Sequence, residues 1–225
     1  MSGARPIWLS LCLVLALAPA TAAQHTPSYT LGASVGLYLP TADLVSDQNI
    51  VQPGSGLAAT ISFGQRTSGA LVLRGTRTLS AKLAIELEFF WANSQIELTW
   101  VRPGVDQNQT KQDARVIALS ADVLYEIFRA PFTPFAIHVL GGLGLLNRGG
   151  DFFEDSEGFL GAIDGGTDPT FVLGVGFRYG LSPQWGLRLD FRDYISSYRQ
   201  SLEDQDLDSE LQNDFLLSAG IEYTL

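Results

Sequence analysis

What this sequence lacks narrows its chemistry before any motif is read. Only one of the 225 residues is a cysteine, Cys12, and it stands inside an apolar segment near the N-terminus. The rest of the chain has no thiol, so disulfide bridges and cysteine chemistry are excluded there. Histidine is almost as scarce, with His25 and His138 the only two, which leaves little material for an imidazole-based hydrolytic site. Basic residues number 14 against 24 acidic ones, for a formal charge of −10. So acidic a chain repels phosphate backbones, and nucleic acid is excluded as a partner. After Ala23 no stretch offers the roughly 18 uninterrupted apolar residues of a membrane-spanning helix. The nearest, Pro131 to Leu146, is broken by Pro134, His138, Gly141, Gly142 and Gly144, so helical spans are excluded.

The N-terminus reads as a secretory signal over residues 1–23. Arg5 supplies the positive region, Ile7 to Leu17 the apolar core, and Ala20-Thr21-Ala22-Ala23 a small-residue cleavage site. Leu11 precedes Cys12 and more apolar core follows, so a lipid attachment site is not expected. Residues 24–225 show no linker and no second composition, and one domain is expected there.

What that domain does contain is period-two alternation, repeated. From Phe215 to the C-terminus the odd positions are Phe215, Leu217, Ala219, Ile221, Tyr223 and Leu225, while Ser218, Gly220, Glu222 and Thr224 fall between them. Such a strand separates an apolar medium from a polar one. Seven further stretches read the same way: Tyr29–Leu39, Gly69–Leu79, Leu83–Trp91, Ile117–Ile127, Phe135–Leu145, Phe171–Tyr179 and a last one from Trp185. Short turns at Ser80-Ala81-Lys82, Pro131–Pro134 and Leu181-Ser182-Pro183 alternate with long connections expected at Pro40–Gly56, Arg102–Asp113, Asn147–Asp168 and Ile195–Gln212. Leu57–Phe63 is a shorter alternating arm, expected as a hairpin standing above the membrane. At Asn93 to Gln95 the apolar phase moves from odd to even positions, since Ile96, Leu98 and Trp100 carry it next, and a β-bulge is expected there.

Polarity decides among a soluble sandwich, a lipocalin-like barrel and a membrane barrel. A soluble β protein hides its apolar face and shows its charges, whereas a small membrane barrel does the reverse. Single strands here set five or six apolar positions against Glu86 and Glu88, or against Arg188, Asp190 and Arg192. Aromatic residues gather at the strand ends: Tyr29, Phe135, Tyr179, Trp185 and Tyr223 at one rim, Trp91, Phe171 and Phe215 at the other. The expected fold is all-β, an eight-stranded antiparallel up-and-down transmembrane barrel. Ten strands would result if Leu57–Phe63 and Ile96–Val101 also crossed, but both are short for a crossing.

The closing strand carries a resemblance. Ser218, Gly220, Tyr223 and Leu225 resemble the C-terminal assembly signal of bacterial outer-membrane barrels, with Leu225 standing where an aromatic is usual. In layout the chain resembles the small outer-membrane barrel family that includes the OmpX type and the membrane domain of outer membrane protein A. That resemblance implies insertion by the barrel-assembly machinery and residence in the bacterial outer membrane. Its lipid and lipopolysaccharide would then be neighbours, both chain ends would lie on the periplasmic side, and the protein is expected to be a monomer.

Three sets of residues could carry chemistry. The inward-facing charges Arg74, Glu86, Glu88, Asp122, Glu126, Arg178, Arg188, Asp190, Arg192 and Glu222 are expected to pair, because an isolated ion in a narrow dry lumen costs several kcal/mol. A structural network filling the lumen is the expected reading and a gated ion path the alternative. His138 lies too near the periplasmic end to join a nucleophile at the outer rim, where enzymes of this fold resemble one another in working, so no enzymatic activity and no cofactor are expected. Finally, Asp204, Asp206, Asp208 and Glu210 echo the spacing of a calcium loop, although Ser209 occupies its glycine position. They are candidates only for weak Ca²⁺ or Mg²⁺ binding. Function is expected to be a non-enzymatic structural or surface-contact role through acidic loops. A narrow pore is the alternative, and a lipid-modifying enzyme stands behind both.

Overall fold

The computed structural model describes residues 28–51, 58–101, 108–151, 166–198, 201–202, 205–206 and 210–225, so the expected signal segment lies outside the described residues. Among the described residues twelve strands follow one another: β1 (Tyr29–Pro40), β2 (Asp43–Val51), β3 (Ala58–Gln65), β4 (Ser68–Thr78), β5 (Leu83–Val101), β6 (Asn108–Arg129), β7 (Phe135–Gly149), β8 (Thr167–Gly180), β9 (Trp185–Tyr198), β10 (Ser201–Leu202), β11 (Gln205–Asp206) and β12 (Glu210–Thr224). Eight of them, β1, β4, β5, β6, β7, β8, β9 and β12, close into a ring in which all neighbours are antiparallel. Among the described residues, β10 and β11 pair with each other alone.

The remaining two strands lengthen the wall at one end. β2 pairs with β3, and β3 takes the upper part of β5, from Thr60 opposite Val101 to Gln65 opposite Ile96. Directly below, β4 takes the lower part of β5, from Ala70 opposite Ala92 to Thr78 opposite Ala84. β1 with β2 and β3 with β4 thus form the two arms of one long hairpin, broken at Thr41-Ala42 and at Arg66-Thr67. The sheet counts ten strands and the ring eight. The expected arm at Leu57–Phe63 is β3, while the stretch expected as a loop from Pro40 to Gly56 contains β2.

Other boundaries also move. β6 begins at Asn108, within the expected Arg102–Asp113 loop; β7 runs on to Gly149; β9 and β12 enter the expected Ile195–Gln212 loop from both sides. The bulge expected at Asn93–Gln95 is absent. β5 and β6 keep one unbroken register from Leu83 opposite Tyr125 to Trp100 opposite Asn108. Even positions of β5 stay inside throughout, Phe90, Ala92, Ser94 and Ile96 all being buried. What changes is the medium. Asn93, Gln95 and Glu97 continue the outward row of Phe89 and Trp91 where the strand has left the apolar band, so the polar residues change sides without any change of backbone phase. Ile96–Val101 is therefore the upper end of β5 and no separate crossing.

Burial is inverted relative to a soluble barrel. Val35 and Leu143 on the outer wall are 65% and 69% exposed, whereas Asp190 and Arg192 inside are 0% exposed. Only a hydrocarbon surrounding makes that arrangement favourable. Trp185 packs on Tyr223 with ring centroids 4.9 Å apart, and Phe191 on Phe215 at 5.1 Å, one pair near each rim.

Closure is made where the two ends of the chain meet. β1 pairs with β12 from Thr30 opposite Thr224 to Pro40 opposite Asp214. Midway along this seam two successive inward pairs are small: Ser34 faces Gly220, and Gly36 faces Ser218. A Cβ on Gly220 would overlap the Ala33 carbonyl and the Ser34 side chain, and one on Gly36 would lie 2.5 Å from the Leu217 carbonyl oxygen. Thr41 still donates its amide and its hydroxyl to the Asn213 carbonyl, at 3.2 and 2.8 Å, and above it the pairing stops: β12 continues beside β9 to Glu210, β2 leaves with β3, and the Gln212 amide bridges the gap by donating to the Asp43 carbonyl at 2.9 Å.

Gly220→Val is expected to destabilise the folded barrel by about 1–3 kcal/mol through overpacking at the seam, although valine is otherwise favoured in strands. Gly69→Ala, with nothing within 4 Å of the added carbon, serves as the control and is expected to leave the barrel unchanged. Urea titration of the refolded protein, read by the mobility difference between boiled and unboiled samples, measures both.

Candidate functional site: the charged lumen

Strand geometry alone sets the raw material of the lumen. Arg188, Asp190 and Arg192 alternate along β9 and so share its inner face, as Glu86 and Glu88 do on β5. Some direct cross-strand pairs are favourable, such as Arg74 opposite Glu88. Two are not: Glu86 stands opposite Asp122, and Arg178 opposite Arg188. Like charges so placed repel, and each pair is relieved by a residue reaching in from elsewhere in the ring. Arg192 binds Asp122 at 2.6 Å and Glu86 at 2.5 Å, while Glu222 bridges Arg188 at 3.0 Å and Arg178 at 3.2 Å.

Arg188 is the centre of the network. Its guanidinium donates to Glu86 at 2.5 and 3.0 Å, to Asp190 at 2.6 and 3.0 Å and to Glu222 at 3.0 Å, with His138 Nε2 at 3.3 Å. His138 also contacts Asp190 at 3.2 Å. Arg192 adds a contact to Glu88 at 3.2 Å. Arg74 pairs with Glu88, approaches Asp190 at 3.4 Å, and donates to the Ser34 and Ser218 hydroxyls at 2.8 and 2.7 Å. Hydroxyls add further donors to these carboxylates: Thr76 donates to Glu86 at 2.5 Å, Ser120 to Asp122 at 2.9 Å, and Tyr194 to Glu88. Gly176 is what lets the His138 ring lie against β8, since a Cβ there would overlap the imidazole.

Toward the long-loop end an apolar layer follows. Phe90 meets Tyr194 edge-on with centroids 5.0 Å apart and Tyr38 at 6.0 Å, packed with buried Val72, Leu124, Leu140, Leu146, Val172 and Leu216. Beyond it lies a second ionic layer. Arg148 donates to Asp214 at 2.5 Å, Asp168 at 3.1 Å and Ser196 at 3.4 Å, and the Tyr38 hydroxyl reaches Asp214 at 2.7 Å and Gln65 at 3.3 Å.

Nine of the ten inward charges singled out in the sequence thus meet in one network, together with His138. Glu126 does not. A bulge places Ile127 out of register between the pairs Glu126–His138 and Phe128–Ile137, and Glu126 turns to the rim, where it accepts a 2.8 Å hydrogen bond from exposed Arg129. The Arg148 layer is not singled out by the sequence reading, which leaves Arg148 and Asp168 within the expected Asn147–Asp168 connection and gives Asp214 no role. Its signal was available, because Arg148 continues the even row His138, Leu140, Gly142, Gly144 and Leu146 without a break. Of the closing-strand signal, Ser218 and Gly220 lie inward at the seam, Tyr223 is on the outer wall against Trp185, and Leu225 donates its amide to the Tyr29 carbonyl at 2.8 Å. Asp204 and Asp208 lie outside the described residues; Asp206 belongs to β11 and Glu210 opens β12.

The profile of the outer membrane protein beta-barrel domain matches residues 9–224. The chain belongs to this outer-membrane barrel family. Its fold is shared by other outer-membrane barrels at very low identity. The crystal structure of OprG from Pseudomonas aeruginosa aligns with a TM-score of 0.60 at 10% identity, covering 89% of this chain and 96% of that one. Neisserial surface protein A gives 0.52 at 12%, covering 88% and 99%. AlkL, solved in DMPC lipid bilayers, gives 0.52 at 17%, covering 93% and 95%. No curated protein matches the chain in sequence. Like these neighbours, this outer-membrane barrel crosses with strands, and among the described residues no helix is long and apolar enough to cross.

Removing one partner from this barrel's network leaves buried opposite charge uncompensated. Arg188→Ala and Arg192→Ala are each expected to destabilise the fold by about 3–5 kcal/mol. Arg129→Ala, at an exposed pair, is expected to cost under about 1 kcal/mol. Urea midpoints of the refolded variants measure the contrast.

Proposed function

We propose that this outer-membrane barrel is a non-enzymatic surface-contact protein, a closed scaffold that presents a raised wall and acidic connections to the exterior. The observation that carries this reading is the filling of the lumen by three successive layers. Its arginine–carboxylate network, the Phe90–Tyr194–Tyr38 layer and the Arg148 cluster leave Arg192, Tyr194, Phe90, Tyr38 and Arg148 each at most 1% exposed. An ion moving along the axis would have to break paired charges and displace aromatic rings. Eight strands leave an interior just wide enough for side chains, and here side chains occupy it. Recognition on such a scaffold falls to the parts above the membrane, and β5, β6 and the β2–β3 hairpin extend the wall well beyond the length a crossing needs. With 19 residues, β5 is about twice the roughly 9–11 residues of a crossing strand. On this reading the network is structural, and the Ser218, Gly220, Tyr223 and Leu225 strand serves the assembly machinery during insertion.

One observation favours a second reading, a narrow conduit. Above Thr41, which still bonds the Asn213 carbonyl, no ladder joins β2 to β12 among the described residues and the Gln212 side chain spans the gap, so a small solute could leave the upper barrel sideways, without passing the axis. Planar-bilayer recordings with the purified barrel separate the two. The surface-contact reading expects silent membranes for wild type and for Gln212→Ala; steady conductance in wild type overturns it, and conductance only in Gln212→Ala supports the lateral route.

A further inference from the structure

We propose that the outer wall of β12, β1, β4 and β5, with the residues above it on β2, β3 and β6, is a docking site for a phosphorylated, multiply acylated glycolipid of the outer leaflet, a molecule of the lipid A class. This rests on the reading that the long-loop end faces outward. The lowest part of the site is a groove of about 540 Å³ in the lipid-facing wall. Its floor is made by Ala33 and Ala219, small residues set among larger ones, and its sides by Leu71, Leu73, Phe89 and Trp91. These side chains point away from the lumen, so the groove opens into the hydrocarbon and suits an acyl chain.

Along the same β5 row, chemistry changes in the order a glycolipid would require. Trp91 closes the apolar part, and Asn93, Gln95 and Glu97 follow. A polar pocket of about 300 Å³ opens there, lined by Asp43, Ser62, Gly64, Arg66, Glu97 and Thr99. Hydroxyls and carboxylates of this kind match the donor and acceptor pattern of a sugar ring. From Trp91 to Gln95, whose carbonyl accepts the Arg66 amide at 2.8 Å, the strand rises about 13 Å at roughly 3.3 Å per residue, a step from acyl chains to headgroup.

Among the described residues, outward cations stand at that level on this wall alone. Arg66, Lys111 and Arg115 are exposed and outward, Arg115 opposite Asn93 and Lys111 opposite Glu97. Among the described residues, the outward positions at the same end of β7, β8, β9, β12 and β1 carry no lysine or arginine. Asp43, Glu97 and Asp113 alternate with the three cations, so the patch is neutral overall and would hold a phosphate by directed donors, without a long-range field. Glu97 pairs with Arg66 and lies 3.9 Å from Lys111, which orients both. A guanidinium offers five donors and one carboxylate engages at most two, and with side chains 54% and 58% exposed both cations still face outward.

The test uses the refolded full barrel in nanodiscs, with retained lipid read by native mass spectrometry. Probes are lipid A, the same lipid dephosphorylated, a zwitterionic phospholipid and inorganic phosphate as competitor. Three variants are compared with wild type: Ala219→Phe to fill the groove, Ala33→Leu as a milder filling, and Arg66→Gln with Lys111→Gln. Unboiled gel mobility verifies folding, and Ala33→Leu replaces Ala219→Phe if the latter does not fold. Wild type is expected to retain lipid A preferentially, with about a fivefold loss for each cation removed and a several-fold loss on filling the groove. Equal retention by wild type and variants, equal retention of the dephosphorylated lipid, or displacement by inorganic phosphate overturns the proposal. Retention is read whether or not the barrel conducts, so a failure here is distinct from a failure of the closed-lumen reading.

Discussion

A guanidinium taken out of water must find acceptors for its donors or it will not stay there. Arg188 meets that demand with three carboxylates drawn from β5, β9 and β12, and nearly every other choice in the lumen follows from it. Glu86 and Glu222 must point inward from strands on other parts of the ring, Gly176 must leave room for His138, and the seam must be lined by serine and glycine so that Arg74 can lie across it. Charges that repel along a single ladder become tolerable only because the barrel is narrow enough for a third group to reach them. The lower interior is thus held by ionic bonds where a soluble protein would use apolar packing, which here forms the layer around Phe90. The outer wall, relieved of any need for charge, is free to be uniformly apolar.

Much of this was legible in the sequence because two media enforce one period. Wherever a strand lay within the bilayer, the alternation of leucines with glutamates or arginines told inside from outside, and nine inward charges could be named before their contacts were known. Legibility failed where the medium changed. Above Trp91 the outer face meets water and the interior becomes apolar, so Asn93 and Ile96 exchange the roles that Phe89 and Glu88 have below. A polarity reversal with constant backbone phase looks, on paper, like a bulge. β2 was hidden for a related reason: above the membrane neither face has to be apolar, and Asp43 to Val51 lacks a clean alternation.

Arg148, Asp168 and Asp214 illustrate the opposite error. Each lies next to a polar stretch, where composition alone points to solvent. Phase would have placed them inside, since each continues the inward row of its strand by one step. Glu126 was misplaced by geometry that no pattern announces, a single extra residue that turns the last inward position of β6 out to the rim.

The seam between β1 and β12 has a consequence for the order of assembly. All other ladders in the ring join strands that follow closely along the chain and can form as local hairpins, whereas the contact between Thr30 and Thr224 spans 194 residues. Loop-closure entropy makes pairing across such a separation slow. The meander from β4 to β9 can therefore take shape while the seam is still open, with Arg74 waiting for Ser218. Small residues at the joint let two preformed edges slide together without rearranging side chains, so sealing the cylinder becomes a matter of registering backbones.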